Sequence, residues 1–195
     1  EEEVVQQDAA AEPAPEQEEP QMPVDIRTNL NETAFFYPEL RTDKEGNIRI
    51  SFTMPEALTE WKLLGLAHTQ DMRLGTFEGR VKTQKDLMVT PGLPRFFRQG
   101  DKVVVSAKIN NLSDHALDGT ARLELVDALT GRELMLPFRL QQRDKSFHTG
   151  PGGSTSVSWE LQVPESLYQL VTVRISARAG NFTDGEAHML PVVSN

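Results

Sequence analysis

No cysteine occurs among the 195 residues. Its absence removes disulfides, thiolate nucleophiles and cysteine-based metal sites together. It leaves the compartment open, because exported bacterial proteins can fold without disulfides. No apolar run is long enough to cross a membrane, and no signal-peptide or lipidation pattern is present. The first residue is not Met, as expected for a piece of a larger protein with any targeting segment upstream. Positive charge is missing from the first 22 residues, which hold eight of the 29 acids and none of the 20 bases. The formal charge of −9 therefore belongs to that segment, and the remainder is close to neutral. Such a body lacks the basic surface that nucleic acid or an anionic membrane would require.

The acidic stretch "EEEVVQQDAAAEPAPEQEEPQMP" is rich in Glu, Gln, Ala and Pro and has little to bury. Its composition predicts disorder or partial polyproline extension over residues 1–24. A solvated linker is one reading; an exposed segment meant to be cut is the other.

Beyond residue 25 the pattern changes. "GNIRISFTMP" sets Ile48, Ile50, Phe52 and Met54 on one face of an extended segment. With the aromatic "ETAFFYPEL" and the turn chemistry of "RTDKEGN", it predicts a strand pair over 33–40 and 47–54. Helical periodicity is absent from every window of useful length. "PEALTEWKLLG" reads as a turn that feeds a strand starting near Trp61, with apolar residues on both faces and hence buried on both. Farther on, alternation places Val103, Val105, Ala107 and Ile109 inward, then Ala121, Leu123 and Leu125. The same holds for Val157, Trp159, Leu161 and Val163, and for Val171, Val173, Ile175, Ala177 and Ala179. Short strands near 86–90, 133–140 and 186–193 bring the total to about seven. The prediction is an all-β fold, an antiparallel two-sheet β-sandwich of immunoglobulin-like type, without the immunoglobulin cysteine pair.

Chemistry is hard to find. His68, His115, His148 and His188 are far apart and lack metal-ligand spacing; His115 and His148 fall in predicted loops. "HTGPGGSTS" lacks the Lys of a phosphate loop and the Gly-x-Ser-x-Gly of a nucleophile elbow, and reads as a hairpin loop. "DKEGN" lacks the alternating acids of a calcium loop. Asn31, Asn111 and Asn181 open glycosylation sequons, which matter only in a eukaryotic secretory setting. No catalytic residue, metal or cofactor is expected; the chain reads as a non-catalytic binding or structural piece.

The order of several motifs is more specific. Glu32-Thr33 with Phe35-Phe36 is followed by Gly46, then Pro55-Glu56-Ala57-Leu58-Thr59-Glu60-Trp61, then Gly75. Leu93-Pro94, Arg98 and Gly100-Asp101 lead into a long strand, and "ARAGNFTDGEAHMLPV" closes the series. Over residues 28–195 this resembles the alpha-2-macroglobulin family of bacterial type. The structural signature comprises Glu32, Thr33, Pro55, Thr59, Trp61, Gly75, Pro94, Gly100 and Trp159.

The resemblance implies a fragment of a broad-spectrum endopeptidase inhibitor that traps proteases after a bait is cut. It implies an acidic bait-like segment at 1–24, a partial macroglobulin-like module at 25–85 and a complete seven-stranded macroglobulin sandwich at 86–195. The candidate cleavage residues are Ala11, Glu12, Ala14, Glu16, Glu18 and Glu19. Target proteases and neighbouring domains of the parent are the implied partners, with no nucleic acid and no membrane insertion. The implied location is extracytoplasmic, either periplasmic or anchored at the envelope through other parts of the parent. The family's thioester needs a Cys that this chain lacks. The alternative is an immunoglobulin-like adhesion module that binds carbohydrate or protein; exposed aromatics in a groove would favour it.

Overall fold

The computed structural model describes residues 23–194. Ten strands and no helix are found among them. The candidate cleavage residues Ala11, Glu12, Ala14, Glu16, Glu18 and Glu19 lie outside the described residues.

Strands β1 (Glu60–His68) and β2 (Leu74–Lys82) pair only with each other, as a two-stranded ribbon. The rest is a sandwich. One sheet joins β3 (Leu87–Gly92), β5 (Lys102–Asn111) and β8 (Ser154–Gln162) in the order β3-β5-β8. The facing sheet has the order β4-β10-β9-β6-β7. Its members are β4 (Phe97–Arg98), β6 (Leu117–Asp127), β7 (Asp144–Thr149), β9 (Leu170–Ala179) and β10 (Phe182–Val193). Pairing is antiparallel except between β4 and β10.

The core is built as the alternation requires. Val105, Ala107 and Ile109 of β5 and Trp159 and Leu161 of β8 face Leu123 and Leu125 of β6 and Val171, Val173 and Ile175 of β9. Val103 and Val157 lie at its margin. The Trp159 indole is 2 % exposed, and its Nε1 donates to the Arg143 carbonyl at 2.9 Å. An aromatic ring is thus buried whole with its one donor satisfied. Gly100, at φ 78°, makes the turn between β4 and β5 and receives the Gln162 amide on its carbonyl. Pro94, half-buried, sits in the bend just before β4.

Several expected elements differ. The strand at 133–140 is instead a tight turn. The Phe138 N–H donates to the Leu134 carbonyl, and Arg139 takes a left-handed φ of 52°. A spacing of four then sends Leu134 and Phe138 inward, while Leu136 is 90 % exposed. Phe138 meets Phe97 edge-on at 5.6 Å. The missing sandwich strand is β7, whose sequence "DKSFHT" buries one apolar side chain, Phe147, beside Thr149. Its Thr149 end leads through Gly150–Gly153 to β8 in the other sheet, so this loop is a crossing between sheets rather than a hairpin. His148 lies in β7, not in a loop.

Larger differences fall before residue 86. Segments 33–40 and 47–54 run beside each other but form no ladder. They are joined at the Asp43–Asn47 turn, where Gly46 has φ 85°, by the Tyr37 hydroxyl donating to the Ser51 carbonyl, and by Phe35 against Phe52. Glu32 and Thr33 are exposed. The strand beginning near Trp61 is present as β1, but it is not buried on both faces. Leu64 is 67 % and Leu66 69 % exposed, because only β2 accompanies it. Gly75 lies within β2, opposite Ala67. The turn itself is Thr69–Arg73, with the left-handed position at Met72.

Candidate functional site: a buried ionic latch

The most deeply buried charge cluster sits where the segment entering from the acidic stretch meets the sandwich. Arg27 forms a short parallel bridge with the edge of β10. Its N–H donates to the Gly185 carbonyl at 2.9 Å, and its carbonyl accepts from Ala187 at 3.1 Å. The approach is close: a Cβ at 185 would lie 2.6 Å from the tip of the Ile26 side chain and 3.1 Å from the Ile175 carbonyl oxygen, so Ile26 would have to shift.

The Arg27 side chain is almost fully buried and grips Asp184 with both arms of its fork. Nε donates to Oδ1 at 2.9 Å and Nη2 to Oδ2 at 2.8 Å. Nη2 also lies 2.9 Å from Glu186 and 3.2 Å from the Val89 carbonyl of β3. Nη1 reaches the Glu56 carbonyl at 3.4 Å. Asp184 has no solvent exposure; it accepts from the Val89 N–H at 2.8 Å and lies 3.4 Å from Lys85 Nζ. Burial opposes the charge on Arg27, but the hydrogen bond and charge of Asp184, then those of Glu186, outweigh it and raise its pKa above the ordinary value. This planar two-point match to a carboxylate is what an arginine provides and a lysine does not.

A second set of contacts ties the Pro55–Trp61 motif to the latch. The Glu56 carboxylate accepts the N–H groups of Thr28 at 2.8 Å and Asn29 at 2.9 Å, and the Glu56 N–H returns a bond to the Asn29 carbonyl. The two backbone donors, Asn29 first, hold the Glu56 carboxyl below its usual pKa. Pro55 is buried. Trp61, 9 % exposed, donates from Nε1 to Thr83 Oγ1 at 3.1 Å. That hydroxyl donates to the Ala57 carbonyl; the Thr83 N–H donates to the Thr59 carbonyl, and the Thr59 N–H donates to Thr83 Oγ1.

Pro55, Thr59 and Trp61 are thus gathered at one joint. Glu32, Thr33 and Gly75 are not part of it, and Pro94, Gly100 and Trp159 belong to the sandwich alone. Sequence reasoning missed Arg27, Asp184 and Glu186. The one available hint was that Arg27 is the first base after the acidic stretch. Asp184 was hidden because "TDGE" resembles a turn, whereas the turn falls at Gly180–Asn181 and Asp184 lies inside β10.

No group of three or more metal-capable side chains occurs among the described residues. Three histidines each contact a single acid: His115 with Asp114, His148 with Asp118 and His188 with Glu186. Asn111 is buried and its amide donates to three carbonyls, those of His115, Thr149 and Gly150, so its sequon is closed in the folded chain. No helix among the described residues is long and apolar enough to cross a membrane.

A two-sheet sandwich preceded by a two-stranded ribbon defines an all-β module. The alpha-2-macroglobulin family model matches residues 33–123, across the ribbon and the first strands of the sandwich. Over that stretch the chain is similar to the alpha-2-macroglobulin family. It is 29% identical over 85 residues to an alpha-2-macroglobulin homolog of Nostoc sp., covering 44% of this chain and 4% of that protein. It is 26% identical over 102 residues to an alpha-2-macroglobulin of Thermotoga maritima, covering 52% of this chain and 6% of that protein. Among solved structures, Escherichia coli alpha-2-macroglobulin activated by porcine elastase matches 84% of this chain and 15% of its own. The TM-score is 0.57 at 14% identity, a likeness of fold. The chain spans only a small fraction of the length of these relatives.

Proposed function

We propose that the chain is a non-enzymatic part of a protease-trapping protein. The observation that carries this reading is the family match over 33–123, which takes in the Pro55–Trp61 motif and its joint to the sandwich. Residues 1–24 serve as the segment that a protease cuts, at or near Ala11, Glu12, Ala14, Glu16, Glu18 and Glu19. Residues 25–85 are the latter part of one module, and 86–195 are the next module whole. The broad apolar exposure of Phe36, Ile48, Phe52, Leu64, Leu66 and Phe77 supports an incomplete first module, which neighbouring domains of the parent cover. Its partners are target proteases and those domains, and its location is extracytoplasmic.

The test uses the parent polypeptide and an elastase-like protease. Cleavage within residues 1–24 should be followed by loss of activity on a large protein substrate, with activity on a small peptide substrate kept. Cleavage only elsewhere, or unchanged activity on the large substrate, overturns the reading.

One observation favours a second reading, a carbohydrate- or protein-binding module. Phe35 stacks between Tyr37 at 5.4 Å and Phe52 at 4.4 Å, beside exposed Phe36. Saturable glycan binding that is lost in a Phe36→Ala/Phe52→Ala variant would replace the trap with an adhesion function.

A further inference from the structure

We infer that residues 24–85 form a strap that docks on the sandwich and leaves it as a unit, with the Arg27–Asp184 pair as its latch. The inference does not depend on the protease reading. The apolar core explains why the two parts separate: its buried side chains all lie between Leu87 and Val192. Before residue 87, Trp61 is the one buried large apolar side chain among the described residues, and its indole is tied to Thr83 within the strap itself. The ribbon is a sheet of its own, with no ladder to either sandwich sheet.

The strap is instead held by polar groups that converge on one point. Arg27 meets Asp184, Glu186 and the Val89 carbonyl, and Lys85 meets Asp184 from the other end of the strap. Glu56 and the Arg27–Glu56 carbonyl contact tie the middle of the strap to the same residue. A buried ion pair adds little net stability when intact, because desolvation offsets the attraction. Removing one partner is costly, because the other is left buried and charged. Such a contact holds a position rather than a core. Elements attached in this way open at a lower free energy than the body they rest on. A free two-stranded ribbon is marginal in water, so undocking also loosens β1 and β2.

Residue-resolved amide exchange on the full chain tests this, comparing the wild type with Arg27→Met and Asp184→Asn. Both variants should exchange the Arg27, Asn29, Glu56 and β1–β2 amides at least about tenfold faster, while β5, β6, β8 and β9 change by less than about threefold. Arg27→Lys should fall between, since an ammonium cannot reproduce the fork. Equal loss across strap and sandwich would mean one cooperative body and would overturn the inference. So would an unchanged strap, or strap amides that already exchange at the free-peptide rate in the wild type. If Arg27→Met does not fold at all, the strap is required for the sandwich and the inference fails.

Discussion

Arg27 and Asp184 stand 157 positions apart in the chain, yet they share two hydrogen bonds of 2.9 and 2.8 Å, and both side chains are almost fully buried. One pair therefore joins the start of the described chain to β10 of the larger sheet. Burial, satisfied hydrogen bonds and local geometry around it lead to the expectations below.

Trp159→Ala should destabilise the protein by about 3–5 kcal/mol, as large-to-small changes in a closed core do. The indole is 2 % exposed and its removal also strands the Arg143 carbonyl. Urea melts followed by circular dichroism measure the loss; a change under about 1 kcal/mol would place the residue outside the cooperative core.

Gly119→Ala should cost about 1–3 kcal/mol or more, as overpacking of a closed site does. A Cβ at this position would lie 2.1 Å from the Arg178 carbonyl oxygen and 2.6 Å from the Phe147 ring. The first of these is backbone in the middle of a sheet and cannot swing aside. Thermal melts check it, with Gly75→Ala as the control, since nothing lies within 4 Å of a Cβ there.

Acid should loosen the strap through Glu56. Its carboxyl titrates below the ordinary value of 4.5 because the Asn29 and Thr28 N–H groups bind the charged form. A lowered folded-state pKa means that the stabilisation is complete above 4.5 and fades as pH falls through the lowered value. Protection of the Thr28 and Asn29 amides, taken relative to the free-peptide rate at each pH, should fall over that window, and Glu56→Gln should flatten the dependence. Protection in the wild type that does not change with pH would show that the carboxylate is not what holds them.

Proteolysis should separate the acidic stretch from the rest by specificity. Trypsin has no Lys or Arg to cut at before Arg27, whereas a Glu-specific enzyme has many sites there. The resistant core should begin well beyond residue 28. Arg41, Lys44 and Arg49 are exposed on segments without a ladder, so trypsin should cut there first and leave the sandwich. Mass spectrometry of the early fragments decides; first cuts inside the sandwich strands would contradict the fold.

Much of the sandwich was legible because each of its strands is buried on one face, so alternation states both the strand and its inward side. The inward residues of β5, β6, β8 and β9 are those the pattern named. The same pattern misled at 33–54. Alternation reports that Ile48, Ile50 and Phe52 share a face; it does not report whether another strand stands beside them. β2 was missed because "LGTFEGRVK" interrupts its apolar positions with two glycines. Across the ribbon, Leu63 lies 3.8 Å from where a Cβ on Gly79 would stand, and the Phe77 ring packs over Gly65 of β1. The latch was not legible at all. Arg27 and Asp184 have no local signature, and only the folded topology brings them together.

Trp61 and Trp159 are the two tryptophans of the chain, and they fall on opposite sides of the joint between strap and sandwich. Each indole has its own acceptor, a threonine hydroxyl for one and a backbone carbonyl for the other. The molecule therefore carries two intrinsic fluorophores, one per moving part. Replacing either by Phe isolates the emission of the other, and detachment of the strap can be timed separately from melting of the sandwich without an added label.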